Sequence, residues 1–277
     1  AQIEAAVELY QKLFAREPQG MWPAEGAVAE CLLPLVARHG LRWIATDEGV
    51  LARSGRHGYP VEDPGVLCQP YRALNPDGDG ELAVLFRSRS LSDAIGFHYH
   101  DASDPEQAAG SFLASVKQLA RGLRCERDYL VSVILDGENA WASYPEDGRP
   151  FLHALYSRLA TDHEVKTVTP SEYLEGNPSR RLPRHPTAEQ PQVYNLFTGS
   201  WIDEFGSVPG VDLGTWIGEP EENAAWTLLG TVHDALEKAG ACPERNPEAF
   251  QVFHPARACR RADRARHRRG RSADHDQ

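Results

Sequence analysis

YLVSVILDGE, residues 129–138, is the stretch on which the fold turns: seven uncharged residues, Tyr129 to Leu135, are followed at once by Asp136 and Glu138. An uncharged, β-branched run of that length, bounded by Gly and acids, reads as a strand buried on both faces. Two earlier stretches have the same character, LAVLF at Leu82 to Phe86 and LRWIAT at Leu41 to Thr46. Between LAVLF and YLVSVIL the period lengthens to that of a helix, through Phe112, Leu113, Val116 and Leu119. Ser103 stands at its expected start, with Glu106 three residues on to complete a capping box. Strand, helix, strand in this order predicts parallel βαβ units and places the chain in the α/β class.

Further out, residues 1–16 space Ile3, Val7, Tyr10, Leu13 and Phe14 as one helix face, and 27–39 do so with Val28, Cys31, Leu32, Leu35 and Val36. Helical turns are expected at 149–160 and 170–175, an irregular Pro- and Arg-rich connection at 178–191, and a helix over 219–239 through Trp226, Leu229, Val232 and Leu236. Beyond about 241 the pattern fails, and no internal repeat is visible. With 277 residues, the chain is long enough for one large domain or two small ones and a sizeable core.

Charge divides the chain. Residues 257–277 hold eight arginines against three aspartates, which leaves 21 basic and 37 acidic residues elsewhere, a net of −16. An acidic body argues against nucleic acid as a partner, since that affinity rests on clustered Lys and Arg. A neutral or cationic substrate fits better. The five cysteines form no CxxC pair, so neither a disulfide framework nor a zinc finger is expected. No apolar run approaches a membrane span, which makes cytoplasm the expected location. The chain opens at Ala1 and its single methionine is Met21, so it reads as an internal stretch of a longer protein.

In parallel sheets, chemistry gathers at the carboxyl ends of strands. Those ends are acidic here: Glu25 after GMWPA, Asp47 and Glu48 after LRWIAT, Asp136 and Glu138 after YLVSVIL. Two carboxyls on one rim are the equipment of glycoside hydrolysis, one ionised and one protonated. Asp136 suits the acid, because a carboxyl closing a buried apolar strand is partly desolvated and its pKa tends upward. The competing reading is that these acids cap helices and turns. Trp22, Trp141, Trp201 and Trp216 lie beside Gly-, Pro- or acid-containing loops, where an indole face can stack on a sugar or fill a core gap. His98 and His100 could ligate a metal but read better as hydrogen-bonded groups, and NPDGDG at 75–80 reads as a turn, because Phe86 stands where a calcium loop needs its last glutamate. GxSxG, GxxxxGK[ST] and GxGxxG are absent, against serine hydrolase, nucleoside triphosphatase and dinucleotide readings.

Seven segments in order, GMWPAEGAV (20–28), LRWIATDEGVL (41–51), LFRSRSLSDAIGF (85–97), VILDGENAWASY (133–144), TVTPSEYL (167–174), GSWI (199–202) and WIGEPEENAAW (216–226), together resemble glycoside hydrolase family 57, in its α-amylase and amylopullulanase-like branch. The resemblance implies the later part of an incomplete (β/α)7 barrel over 1–175, a helical and irregular region completing the site over 176–240, and a basic tail over 241–277. It implies a retaining hydrolase of α-1,4-glucan or maltooligosaccharide, with α-1,6 bonds as a further target. Glu25 falls on the nucleophile and Asp136 on the acid/base. Trp22, Trp141, Trp201, Trp216, Asp93, Glu138, Asn139, Glu222 and Asn223 fall around the substrate, with Glu221 beside them. No metal or organic cofactor is implied. The family's first strands are missing from the match, Ser88 stands where an aspartate is expected, and the arginine-rich tail departs from the family's continuation, as a shifted reading frame would make it.

Two neighbouring functions stay open at this point. Transglycosylation uses a related site, and a truncated chain could bind glucan without cleaving it. The arginine tail also admits an arm for nucleic acid or an acidic partner.

Overall fold

The structure, a computed structural model, describes residues 2–74, 81–102, 104–124, 126–137, 141–202, 213–214 and 216–257. NPDGDG, Ser103, Glu138, Asn139, Cys125 and the tail beyond residue 257 lie outside the described residues. The chain divides after Trp201 into two compact units.

The first unit opens with helix α1 (Gln2–Phe14) and the short strand β1 (Gly20–Met21). Helix α2 (Leu33–Arg38), strand β2 (Trp43–Asp47), and helices α3 (Glu48–Arg53) and α4 (Pro64–Leu67) follow. Then come β3 (Tyr71–Leu74), β4 (Glu81–Arg87), and helices α5 (Arg89–Asp93), α6 (Pro105–Arg121), α7 (Arg149–Thr161) and α8 (Pro170–Glu175). The strands form one sheet in the order β1-β2-β4-β3. β1, β2 and β4 run parallel, with Ala45 opposite Leu85 and Asp47 opposite Arg87. β2 and β4 carry the LRWIAT and LAVLF runs, and their inner residues, Ile44 and Ala45 in the one and Leu82 to Phe86 in the other, are apolar because both faces are covered.

Three expectations are corrected. The run 129–135 is not a ladder strand. It lies parallel to the end of β4 and meets it in one bridge, Ser132 with Arg87. Ser88 N donates to Ser132 O at 2.8 Å, but the neighbouring amides go elsewhere: Leu130 N to Cys68 O at 2.9 Å and Ile134 N to the hydroxyl of Ser92 at 3.1 Å. A side chain and a loop carbonyl thus take the bonds that a ladder would have used. Second, β3 is antiparallel to β4 in a sheet expected to be parallel. Third, α6 is capped by Asp104, whose carboxylate accepts from Glu106 N at 2.9 Å.

Two apolar clusters stand out among the described residues of this unit. One lies between α6 and α7, where Ala109, Phe112 and Val116 meet Phe151, Ala154 and Leu155, with Leu91, Ile95 and Tyr144 beside them. The other joins Ala45, Ala83 and Leu85 of the sheet to Leu130, Tyr173 and Leu174, with Trp22, Trp43 and Ile134 packed on it. Gly20 admits the Trp43 indole: a Cβ there would lie 2.0 Å from a ring carbon. Helix α8 starts at Thr169, which with Glu172 forms a full capping box.

In the second unit, α9 (Pro220–Lys238) matches the expected helix over 219–239. A further helix, α10 (Pro247–Arg257), stands where the sequence pattern had failed. No described helix is long and apolar enough to cross a membrane.

Cys68 is buried and burial pushes its thiol from the usual 9.0 to about 11, whereas Cys31 is exposed. With about a hundredfold less thiolate, Cys68 is expected to resist iodoacetamide at pH 8 while Cys31 alkylates. Peptide mass spectrometry reads this, and equal rates would contradict the buried placement.

Candidate active site

The three parallel strands and the run 129–135 all end at one edge of the sheet, so Glu25, Asp47, Arg87 and Asp136 follow one another across it. Each is placed by a different local device.

Glu25 sits in the turn after β1, in the left-handed region at φ 55° and ψ 26°, which costs a non-glycine residue about 1–3 kcal/mol. Pro23 before it has φ −60° and Gly26 after it has φ 60°. A Cβ on Gly26 would lie 2.6 Å from the Trp22 ring, so glycine is required there for space as well as for its backbone angle. The turn is tied to β2 by the buried Thr46, whose hydroxyl donates to Gly26 O at 2.7 Å. On its other side, Val28 and Gly199 form an antiparallel bridge, with N···O distances of 2.8 and 3.0 Å. That bridge brings Trp201 to Glu25 across 176 residues of sequence. Trp201 N donates to Glu25 O at 3.2 Å, and its indole Nε1 donates to Glu25 Oε2 at 2.5 Å. Trp22 meets the Trp201 ring edge-on at 5.2 Å.

Arg87 ends the central strand, almost wholly buried. Its Nε donates to Asp47 Oδ2 at 2.7 Å, and Nη1 to Asp93 Oδ1 at 2.9 Å and to Ile134 O at 3.4 Å. Its guanidinium carbon lies 4.7 Å from the centre of the Trp201 ring. Asp47 is fully buried and also accepts from Arg89 Nη2 at 2.6 Å and from Gly49 N at 2.8 Å. Among the rim acids Asp47 is therefore a structural anion with its oxygens committed, not a free catalytic carboxyl. Glu48 accepts from Arg89 N at 2.9 Å, and burial raises its carboxyl above the usual range.

Asp136 is half-buried, two residues beyond the Ile134 carbonyl that meets Arg87. Ser88, which stands where the resemblance expects an aspartate, is buried and bonded: its carbonyl accepts from the Ser92 hydroxyl at 2.7 Å, and its own hydroxyl lies 3.3 Å from that of Ser90.

The structure thus gathers Glu25, Trp22, Trp201 and Asp93 around Arg87, and brings the segment leading to Asp136 to the same edge. Asp93 serves there as the ion-pair partner of Arg87. Trp141 lies against Tyr144 at 5.4 Å, on the α6–α7 cluster. In the second unit, Asn223 clasps Gly218 through two hydrogen bonds of 3.0 and 3.1 Å, and Glu222 completes the capping box of α9. Trp216 O there accepts from the Trp226 indole at 2.8 Å. Among the described residues, the side chains grouped closely enough to share a metal are His233, Asp234 and Glu237 on one turn of α9. His100 instead pairs with Asp101 at 3.3 Å. Sequence reasoning missed Arg87. Its only signal was a charge ending an apolar strand.

The sequence profile described as Glycosyl hydrolase family 57 matches residues 1–189. Among solved structures, the chain is similar to the 4-alpha-glucanotransferase from Thermococcus litoralis (TM-score 0.53, 18% identity, 90% of this chain and 32% of that one). It is similar also to the GH57-type branching enzyme from Pyrococcus horikoshii (TM-score 0.57, 17% identity, 83% of this chain and 48% of that one). A third is the alpha-amylase AmyC from Thermotoga maritima (TM-score 0.53, 16% identity, 72% of this chain and 47% of that one). The chain spans about a third to a half of the length of these structures. No curated protein sequence matches it.

Proposed function

Because the chain belongs to glycosyl hydrolase family 57, we propose that it acts on α-glucan as a retaining glycosidase of the α-amylase and amylopullulanase-like kind, with Glu25 as nucleophile and Asp136 as acid/base. The sheet is then part of a (β/α)7 barrel, and its acidic edge the floor of the cleft. What supports this reading most is the Glu25 turn: a strained left-handed glutamate, tied on two sides and hydrogen-bonded to Trp201, faces the edge to which the Asp136 segment also leads.

In this mechanism one Glu25 oxygen forms a bond to the anomeric carbon as the glycosidic C–O bond breaks, and Asp136 gives its proton to the departing oxygen. Asp136 then takes a proton from water, which attacks the glycosyl ester and releases Glu25. Such a pair works with its carboxyls about 5–5.5 Å apart. Two carboxyls and water suffice, so no metal or organic cofactor enters a step. Trp22, Trp141, Glu138 and Asn139 would line glucose subsites.

Glucan transfer is the second reading, favoured by the similarity to a glucanotransferase and a branching enzyme. Incubation with amylose and with pullulan separates the two. Hydrolysis releases reducing ends whose first-formed anomer is α, while transfer makes longer chains or new linkages without a matching rise in reducing ends. A β-anomer as first product would reject the retaining pair. Binding to amylose with neither outcome would leave a glucan-binding chain without turnover.

A further inference from the structure

Building on the reading of Glu25 as nucleophile, we propose that Trp201 is a positioning residue rather than a sugar platform: clamped by Arg87, its indole N–H holds Glu25 Oε2 and leaves Oε1 as the attacking oxygen. Three observations carry this. The indole N–H, the group a platform would offer to a sugar hydroxyl, is already spent on the carboxylate at 2.5 Å. One ring face is taken by the Arg87 guanidinium, 4.7 Å from the ring centre, and the ring is met edge-on by Trp22. Trp201 is also tethered through its backbone, by its N–H to Glu25 O and by the Val28–Gly199 bridge two residues away.

Arg87 makes the clamp rigid. Its Nε and Nη1 are held by Asp47 and Asp93, so the guanidinium cannot follow the indole if it moves. A cation over the ring face draws electron density from the indole and makes its N–H a stronger donor to a carboxylate. A nucleophile whose two oxygens are distinguished in advance spends no activation free energy on choosing its rotamer.

The test uses Trp201→Phe, which keeps an aromatic face and removes the donor, with Arg87→Lys, the double variant and Glu25→Gln alongside. For a positioning residue, Trp201→Phe lowers kcat on amylose by about tenfold or more, with KM within about twofold. Adding Arg87→Lys to it costs little more, because both act along one path. A platform predicts the opposite split, with kcat kept and KM raised. Losses that multiply in the double variant would overturn the part assigned to Arg87. A readout free of turnover is the Trp201 indole N–H resonance, which is expected to shift upfield in Glu25→Gln as the charged acceptor is lost; an unmoved resonance would overturn the hydrogen bond itself. Wild-type kcat in Trp201→Phe beside an inactive Glu25→Gln rejects this role alone, whereas turnover surviving Glu25→Gln rejects the reading of Glu25 on which the role rests.

Discussion

Glu25→Gln is expected to lower kcat/KM on amylose by about 10⁴-fold or more while leaving the melting temperature near that of the parent chain. The two halves of this expectation come from different atoms. Glutamine keeps the length of the side chain and an oxygen that can accept from the Trp201 indole, and the left-handed turn is held by Thr46, Gly26 and the Val28–Gly199 bridge, none of which touches the carboxylate charge. What the amide lacks is a negative oxygen able to bond to an anomeric carbon, and nothing else named on this rim stands in for it. Asp47 cannot, because its oxygens are committed to Arg87, Arg89 and Gly49. Asp136→Asn should look different. The loss is expected to be large on amylose, whose leaving oxygen needs a proton, and much smaller in the first step on an aryl glycoside with a good leaving group. Steady-state and burst kinetics on both substrates check this. A Glu25→Gln variant turning over amylose at near the parent rate would sink the assignment.

How much of this was visible in the sequence depended on whether the deciding interactions were local. β2 and β4 were legible because a strand covered on both faces carries a near-continuous apolar run, as LAVLF does throughout and LRWIAT does apart from Arg42 and Thr46. The equally apolar run 129–135 defeated the same rule. Its amides are satisfied by the Ser92 hydroxyl and the Cys68 carbonyl, and composition says nothing about where an amide will bond. β3 was invisible for a related reason, since four residues with one exposed end do not make a period. The start of α6 was missed by one residue, Asp104 taking the role expected of Ser103, because two good capping residues stand side by side. At the proposed site, Glu25 and Asp136 were singled out through ordered motifs. Trp201 was noticed for its aromatic ring and its loop, but its indole bond reaches a residue 176 positions away, and only the fold supplies that partner. Arg87 and Asp47 pair across 40 positions, each unremarkable until the parallel register sets them opposite each other.

That pairing carries the largest stability effect expected here. Arg87→Leu should destabilise the first unit by about 3–5 kcal/mol, read from urea midpoints. The leucine itself would be welcome at the end of an apolar strand, so the cost is in what the arginine leaves behind. Asp47 is wholly buried and would keep only Arg89 and the Gly49 amide, Asp93 would lose its ion pair, and the Ile134 carbonyl would lose its donor. An unpaired charge in the interior is more damaging than a missing pair, which is why removing one partner costs more than the pair itself contributes. The effect also reaches the rim, because the same guanidinium lies over Trp201 and borders the run leading to Asp136. Arg87→Lys keeps the charge as a point and abandons the fork, so it should cost less than the leucine variant and more than a surface exchange. A loss below about 1 kcal/mol for Arg87→Leu would be the magnitude of an exposed ion pair, and would contradict the burial on which the rim is built.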